Sequence, residues 1–125
     1  MSEVTAKNAI VAALDELMGE SKVWFGSSVE KLSVRKKKAT MYGYDVYINN
    51  RTAFDISLFS DGIQLVIHND IHWDKPSVER INEEQGNLIW KTLLKHLGAE
   101  DVDANEITFG SQYSRALYRG DYKAE

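Results

Sequence analysis

Between residues 41 and 67 the apolar side chains of this chain recur at every second position, and turn-forming residues interrupt them twice. Tyr42, Tyr44, Val46 and Ile48 form the first run, and Asn49-Asn50 ends it. Phe54, Ile56 and Leu58 form the second, Asp61-Gly62 ends that, and Ile63, Leu65 and Ile67 form the third. A period of two sends successive side chains to opposite sides of an extended backbone, so these runs predict half-buried strands. Asp-Gly between two alternating runs is a strong local hairpin signal. The spacing therefore predicts an antiparallel meander. Leu32 and Val34, alternating with Lys31, Ser33 and Arg35, predict one more strand within residues 29–35. Val23-Trp24-Phe25 reads as a short edge strand or a loop anchor.

Helical periods flank the meander. Over residues 5–18, Ala6, Ile10, Ala13, Leu14 and Leu17 fall on one face, with Thr5 placed to cap the start and Gly19 to close the end. A second helix is expected over residues 76–97, opened by Pro76, capped by Asp74 or Ser77 and stopped at Gly98. Its apolar stripe changes phase, from Val78, Ile81, Gln85 and Leu88 to Ile89, Trp90, Leu93, Leu94 and Leu97. Gly86 at the junction predicts a kink or a meeting of two helices. Beyond it, residues 106–109 read as a short strand, residues 111–119 as one or two helical turns, and the tail after Gly120 as frayed. The expected fold is α+β, a single domain over residues 1–125. Its antiparallel sheet has four to five strands, with helices from the N-terminus and the C-terminal half packed mainly on one face. The order is α-β-β-β-β-α-β-α.

Composition narrows the chemistry. With 125 residues, 43% of them hydrophobic and 27% charged, the chain can bury a core without a covalent staple. It has no cysteine, which removes disulfides, thiolate zinc sites and a cysteine nucleophile and favours a reducing, cytoplasmic setting. The N-terminal residues do not read as a signal peptide, and no run approaches the length of a membrane span. Net charge is −4, unevenly spread. Lys31, Arg35, Lys36, Lys37 and Lys38 hold five of the 15 basic residues, leaving ten against all 19 acidic ones. An acidic body with one basic patch permits a local anionic contact but disfavours general nucleic-acid binding.

Three groups of residues are candidates for function. The first is Arg35-Lys36-Lys37-Lys38, expected in a solvated turn that adds little stability, where it could contact phosphate or guard a sheet edge. Tyr47, on the strand face opposite Tyr44 and Val46, is the aromatic candidate for a protein interface. The second group is Val78, Ile81 and Leu88, the stripe left off the core side of the helix, which predicts a two-fold homodimer. The third is His68-Asn69-Asp70-Ile71-His72-Trp73-Asp74. Extended, it would align His68, Asp70, His72 and Asp74 as metal ligands or an acid–base set. The plainer expectation is that His68 ends its strand, Asp74 caps the following helix and no metal or cofactor is bound.

The order helix, strands, helix is similar in layout to the double-stranded-RNA-binding domain and to small acidic, dimeric secretion chaperones. The first family has a lysine-rich start to its second helix, where this chain has Ser77-Val78-Glu79-Arg80. The second has a long final helix that this chain lacks. Layout alone fixes no function, and no family is assigned. The expected function is a protein-binding module, an inhibitor, adaptor or chaperone of another protein. Accessory proteins of this composition include virus-encoded inhibitors of host machinery. The alternatives are a metal-dependent or acid–base hydrolase centred on residues 68–74 and a nucleic-acid binder using residues 31–38.

Overall fold

The computed structural model describes residues 5–24, 27–37, 43–68, 82–101, 105–110 and 113–124. The elements run α1 (Ala6–Met18), β1 (Val23–Trp24), β2 (Ser27–Ser28), β3 (Leu32–Lys36), β4 (Gly43–Ile48), β5 (Arg51–Phe59), β6 (Gly62–His68), α2 (Glu83–Leu97), β7 (Asn105–Thr108) and β8 (Tyr113–Arg119). β1 and β2 form a two-stranded ribbon. The other six make one antiparallel sheet in the order β3-β4-β5-β6-β8-β7. The fold is thus α+β as the alternating and helical periods predict, with six strands in the main sheet where four to five are expected.

One face of the sheet is apolar. Val34, Val46, Phe54, Ile67 and Ser114 form one cross-strand row, and Tyr44, Ile56, Leu65, Ala116 and Ile107 the next. Ala9, Ile10, Ala13 and Leu14 of α1 and Ile89, Trp90, Leu93, Leu94 and Leu97 of α2 are buried in the same cluster as these strands. Both helices therefore cover this face. Trp24 joins them, its ring tilted against Phe54 at 5.5 Å between centroids. Among the described residues, no helix is long and apolar enough to cross a membrane.

Both helices have local stops. Thr5 Oγ1 accepts from the Asn8 N–H at 3.2 Å, and the Gly19 N–H donates to Asp15 O at 2.9 Å. α2 starts later than Pro76 suggests. Asn82 is extended and shares reciprocal hydrogen bonds with Gln85, at 2.8 and 2.9 Å, which satisfies two amides of the first turn. The helix expected over residues 76–97 is therefore corrected to one beginning at Glu83, and residues 76–81 lie outside the described ones. Gly86 is no kink but a buried residue of the first turn, where a Cβ would come within 2.8 Å of the Phe109 ring. The expected cap Asp74 lies outside the described residues. Gly98, left-handed at φ 79°, ends the helix as expected.

Three further expectations are overturned. Residues 113–119 form β8 rather than helical turns, because Ser114, Ala116 and Tyr118 alternate with Tyr113, Arg115 and Arg119 and pair with β6. The tail does not fray after Gly120. The Lys123 and Ala124 amides donate to Leu97 O at 3.1 and 3.0 Å, the Tyr118 hydroxyl donates to Asp121 O, and that of Tyr122 to Phe59 O. Gly62 is also not a turn residue. Phe59 pairs with Gly62, so Ser60 and Asp61 make the loop. A Cβ on Gly62 would lie 2.2 Å from the Tyr118 carbonyl oxygen.

That placement separates two outcomes. A turn glycine tolerates asparagine, which also adopts positive φ. A glycine chosen for close strand approach tolerates neither. We expect Gly62→Ala and Gly62→Asn both to destabilise the fold by about 1–3 kcal/mol in denaturant titrations. A near-neutral Gly62→Asn would restore the turn role.

Candidate functional site on the open sheet face

The side chains of opposite parity leave the sheet on the side that no described element covers. Arg35, Asp45, Asp55, Val66, Arg115 and Thr108 stand directly opposite one another in turn across β3, β4, β5, β6, β8 and β7. Ser33, Tyr47, Thr52, Ser57, Gln64, His68 and Leu117 share the face and are half-buried.

A β-bulge creates the centre of this row. Ile48 pairs with Arg51 around the Asn49-Asn50 turn, whose residues both have positive φ, 52° and 66°. A regular ladder from there would set Asp45 opposite Phe54. The register instead shifts between Val46 and Tyr47, with Ala53 as the extra residue. Phe54 thereby meets Val46 on the apolar face, and Asp55 meets Asp45 on the open one. The Lys37 and Asn49 amides donate to Gly43 O and Lys31 O, so the odd-numbered residues of β4 turn their backbone groups toward β3. Asp45 and Asp55 are consequently a non-hydrogen-bonded pair, the closer of the two antiparallel spacings.

Two like charges directly opposite repel, and they require compensation. Lys37 supplies it, its Nζ lying 3.5 Å from Asp45 Oδ1 and 3.3 Å from Asp55 Oδ1. His68 Nε2 lies 3.1 Å from Asp55 Oδ2, and its ring stands edge-on to Tyr113 at 5.0 Å. The side chains of Lys37, Asp45, Asp55 and His68 are 23–31% exposed. Burial pushes the Asp45 carboxyl above the ordinary aspartate range, aided by its hydrogen bond to Asp55 and opposed by Lys37. Burial also acts to raise Asp55, but hydrogen bonds from Asp45 and His68 and the charge of Lys37 together hold it below. For Lys37, burial is outweighed by the two carboxylates, which raise its pKa. The two carboxyls are thus shifted apart, Asp45 upward and Asp55 downward.

The sequence candidates fall in different places. Tyr47 is on the open face, with the Arg35 guanidinium 5.5 Å from its ring centroid. Lys36 is exposed on the opposite parity, paired with Tyr44. Lys37 is not a solvated turn residue, as expected of the basic run, but the cation of the carboxylate pair. Leu88 is 53% exposed on α2, in the helical layer and away from this face. His68 ends its strand as expected. Lys38, Asp70, His72, Asp74, Val78 and Ile81 lie outside the described residues. Among the described residues, no three His, Cys, Asp or Glu side chains are grouped to hold a metal ion. Asp55, Tyr113 and Arg115 escape the sequence reading. Their one signal is off-face parity, and β8 has to be recognised as a strand before the last two can be placed.

The opposite shifts of the two aspartates make a signed prediction. Asp45, raised in the fold, opposes folding at neutral pH, and this cost disappears as pH falls. Asp55, lowered, stabilises above its unfolded value and loses that contribution as pH falls through its folded one. At pH 7, Asp55→Asn should therefore destabilise by about 1 kcal/mol, while Asp45→Asn should be neutral or slightly stabilising. Thermal melts of both variants should converge as pH drops below the ordinary carboxylate range.

No protein-family model matches this chain, and comparison with curated proteins and with solved structures finds no match. Function has to be inferred from the chain's own side chains.

Proposed function

We propose that this protein is a protein-binding module, an inhibitor, adaptor or chaperone of another protein, that meets its partner with the open face of its sheet. The observation that carries this reading is an ionic centre whose charges are partnered within the fold, flanked by aromatic and arginine side chains. Arg35 over Tyr47 stands on one side, and Tyr113 beside His68, with Arg115 nearby, on the other. Tyrosine and arginine dominate binding energy at protein interfaces, whereas unpaired charge is disfavoured at interface cores. Here the central charges are already paired within the fold, so docking strands none of them. The same pairing argues against a phosphate-binding surface, because Lys37 is spent on Asp45 and Asp55. A cysteine-free chain suits the cytoplasm, and virus-encoded inhibitors of host machinery are one source of such modules.

The hydrogen bond between His68 and Asp55 favours a second reading, an acid–base or metal-assisted hydrolase. It ranks second because Asp55 is shared with Lys37 and Asp45. Exposed Leu88 on α2 supports a homodimer, which sedimentation at micromolar concentration would show as a species of twice 14.2 kDa.

Affinity capture from lysate with the wild-type protein and with Tyr47→Ala/Arg115→Glu tests the leading reading. One stoichiometric protein should be recovered by the wild type and lost with the variant. Equal recovery on both would remove the open face from the interface. Near-stoichiometric bound zinc or manganese in the purified protein would put the hydrolase reading first.

A further inference from the structure

β3 is an outer strand of the six-stranded sheet. Because the Lys37 amide bonds Gly43 O and Lys31 O accepts from Asn49, residues 31, 33, 35 and 37 turn their backbone groups toward β4. The amides and carbonyls of Leu32, Val34 and Lys36 therefore point out of the sheet, and no described residue pairs with them. Such an edge is a template for another strand. Its start is anchored. The Asn49 side chain accepts from the Glu30 and Lys31 amides at 2.8 and 3.1 Å and donates to Ser28 O at 2.9 Å, fixing the chain where β3 begins.

We propose that this edge takes up an acidic, extended segment of the partner protein as an additional antiparallel or parallel strand. The proposal rests on the protein-binding reading and adds the partner's chemistry. Lys31, Arg35 and Lys36 are exposed along the edge, whereas the rest of the chain is strongly acidic. Two such edges from two copies would set these cations against each other, which disfavours self-pairing. On the open-face parity the edge offers Lys31, Ser33 and Arg35, and on the other parity Leu32, Val34 and then Lys36. A segment alternating carboxylate and apolar residues matches both: its acids face Lys31 and Arg35, and its apolar residues extend the row of Leu32 and Val34. A nucleic-acid backbone accepts through its phosphates but has no alternating N–H and C=O groups at strand spacing, so it cannot pair with the outward groups as a ladder.

The probe is a short synthetic peptide alternating Glu and Val, titrated into the full-length protein and followed by amide NMR. The amides of Leu32, Val34 and Lys36 should shift and become protected from exchange. N-methylation of the peptide at alternate amides on the pairing side should weaken binding by about tenfold or more. Lys31→Glu, which leaves Arg35 and Tyr47 in place, should weaken binding and recover it with a peptide carrying Lys at the position that faces residue 31. No binding at about 1 mM peptide would overturn the proposal, since that is the weak limit of specific recognition. Indifference to N-methylation, shifts confined to the open face, single-stranded nucleic acid bound through Lys31, or self-association abolished by the charge reversal would also overturn it. If the peptide fails while lysate capture still depends on Tyr47 and Arg115, the edge proposal falls and the protein-binding reading stands.

Discussion

A strand with a period of two has a single degree of freedom that matters for this fold, its parity relative to its neighbours. Slipping by one residue exchanges the two faces. β5 must present Phe54, Ile56 and Leu58 to the helices, yet the Asn49-Asn50 turn starts it one step out of phase with β4. The extra residue Ala53, fully buried in the bulge, absorbs that step. From there the apolar rows continue through β6 and β8 without further correction. The joint burial of α1 and α2 on one side, and the polar character of the other, both follow from this local shift.

The same shift imposes an electrostatic cost on the open face. It brings Asp45 opposite Asp55 in the closer pairing geometry, on a surface shielded enough for burial to raise one of them. Lys37 and His68 offset the repulsion from the ends of their strands. Fold and candidate site are therefore coupled, because the residue that seats Phe54 in the core also assembles the ionic centre. A charged cluster placed by strand register is positioned without a loop or a ligand, which suits recognition by a preorganised surface.

Much of the architecture was legible in residue periods. The three runs between residues 41 and 67, the α1 stripe with Thr5 and Gly19, and the end of α2 at Gly98 each have the spacing that their structure requires. Other features failed for identifiable reasons. Ser114 and Ala116 are too small to announce the alternation of β8. Pro76 outweighed the Asn82/Gln85 pair as a helix start, although that pair carries its own capping signature. Gly62 beside Asp61 imitates a turn, while its real constraint is a carbonyl from β8, distant in sequence. The candidate site was legible only in part. Tyr47 and Asp45 could be placed on the off-core face, but the meeting of Asp45 with Asp55 depends on a bulge that one alanine does not signal. Lys37 reads as one of a solvated run until β4 and β5 lie beside it.

The β4–β5 register underlies both faces of the sheet, and backbone NMR reads it directly. In a non-hydrogen-bonded antiparallel pair the two Hα atoms face each other at short range. A strong cross-strand Hα–Hα Overhauser effect is expected between Asp45 and Asp55, with Val46 and Phe54 as the adjacent hydrogen-bonded pair. An Asp45–Phe54 Hα contact in its place would mean an unbulged hairpin, with Phe54 on the open face and no carboxylate pair, and would contradict the account.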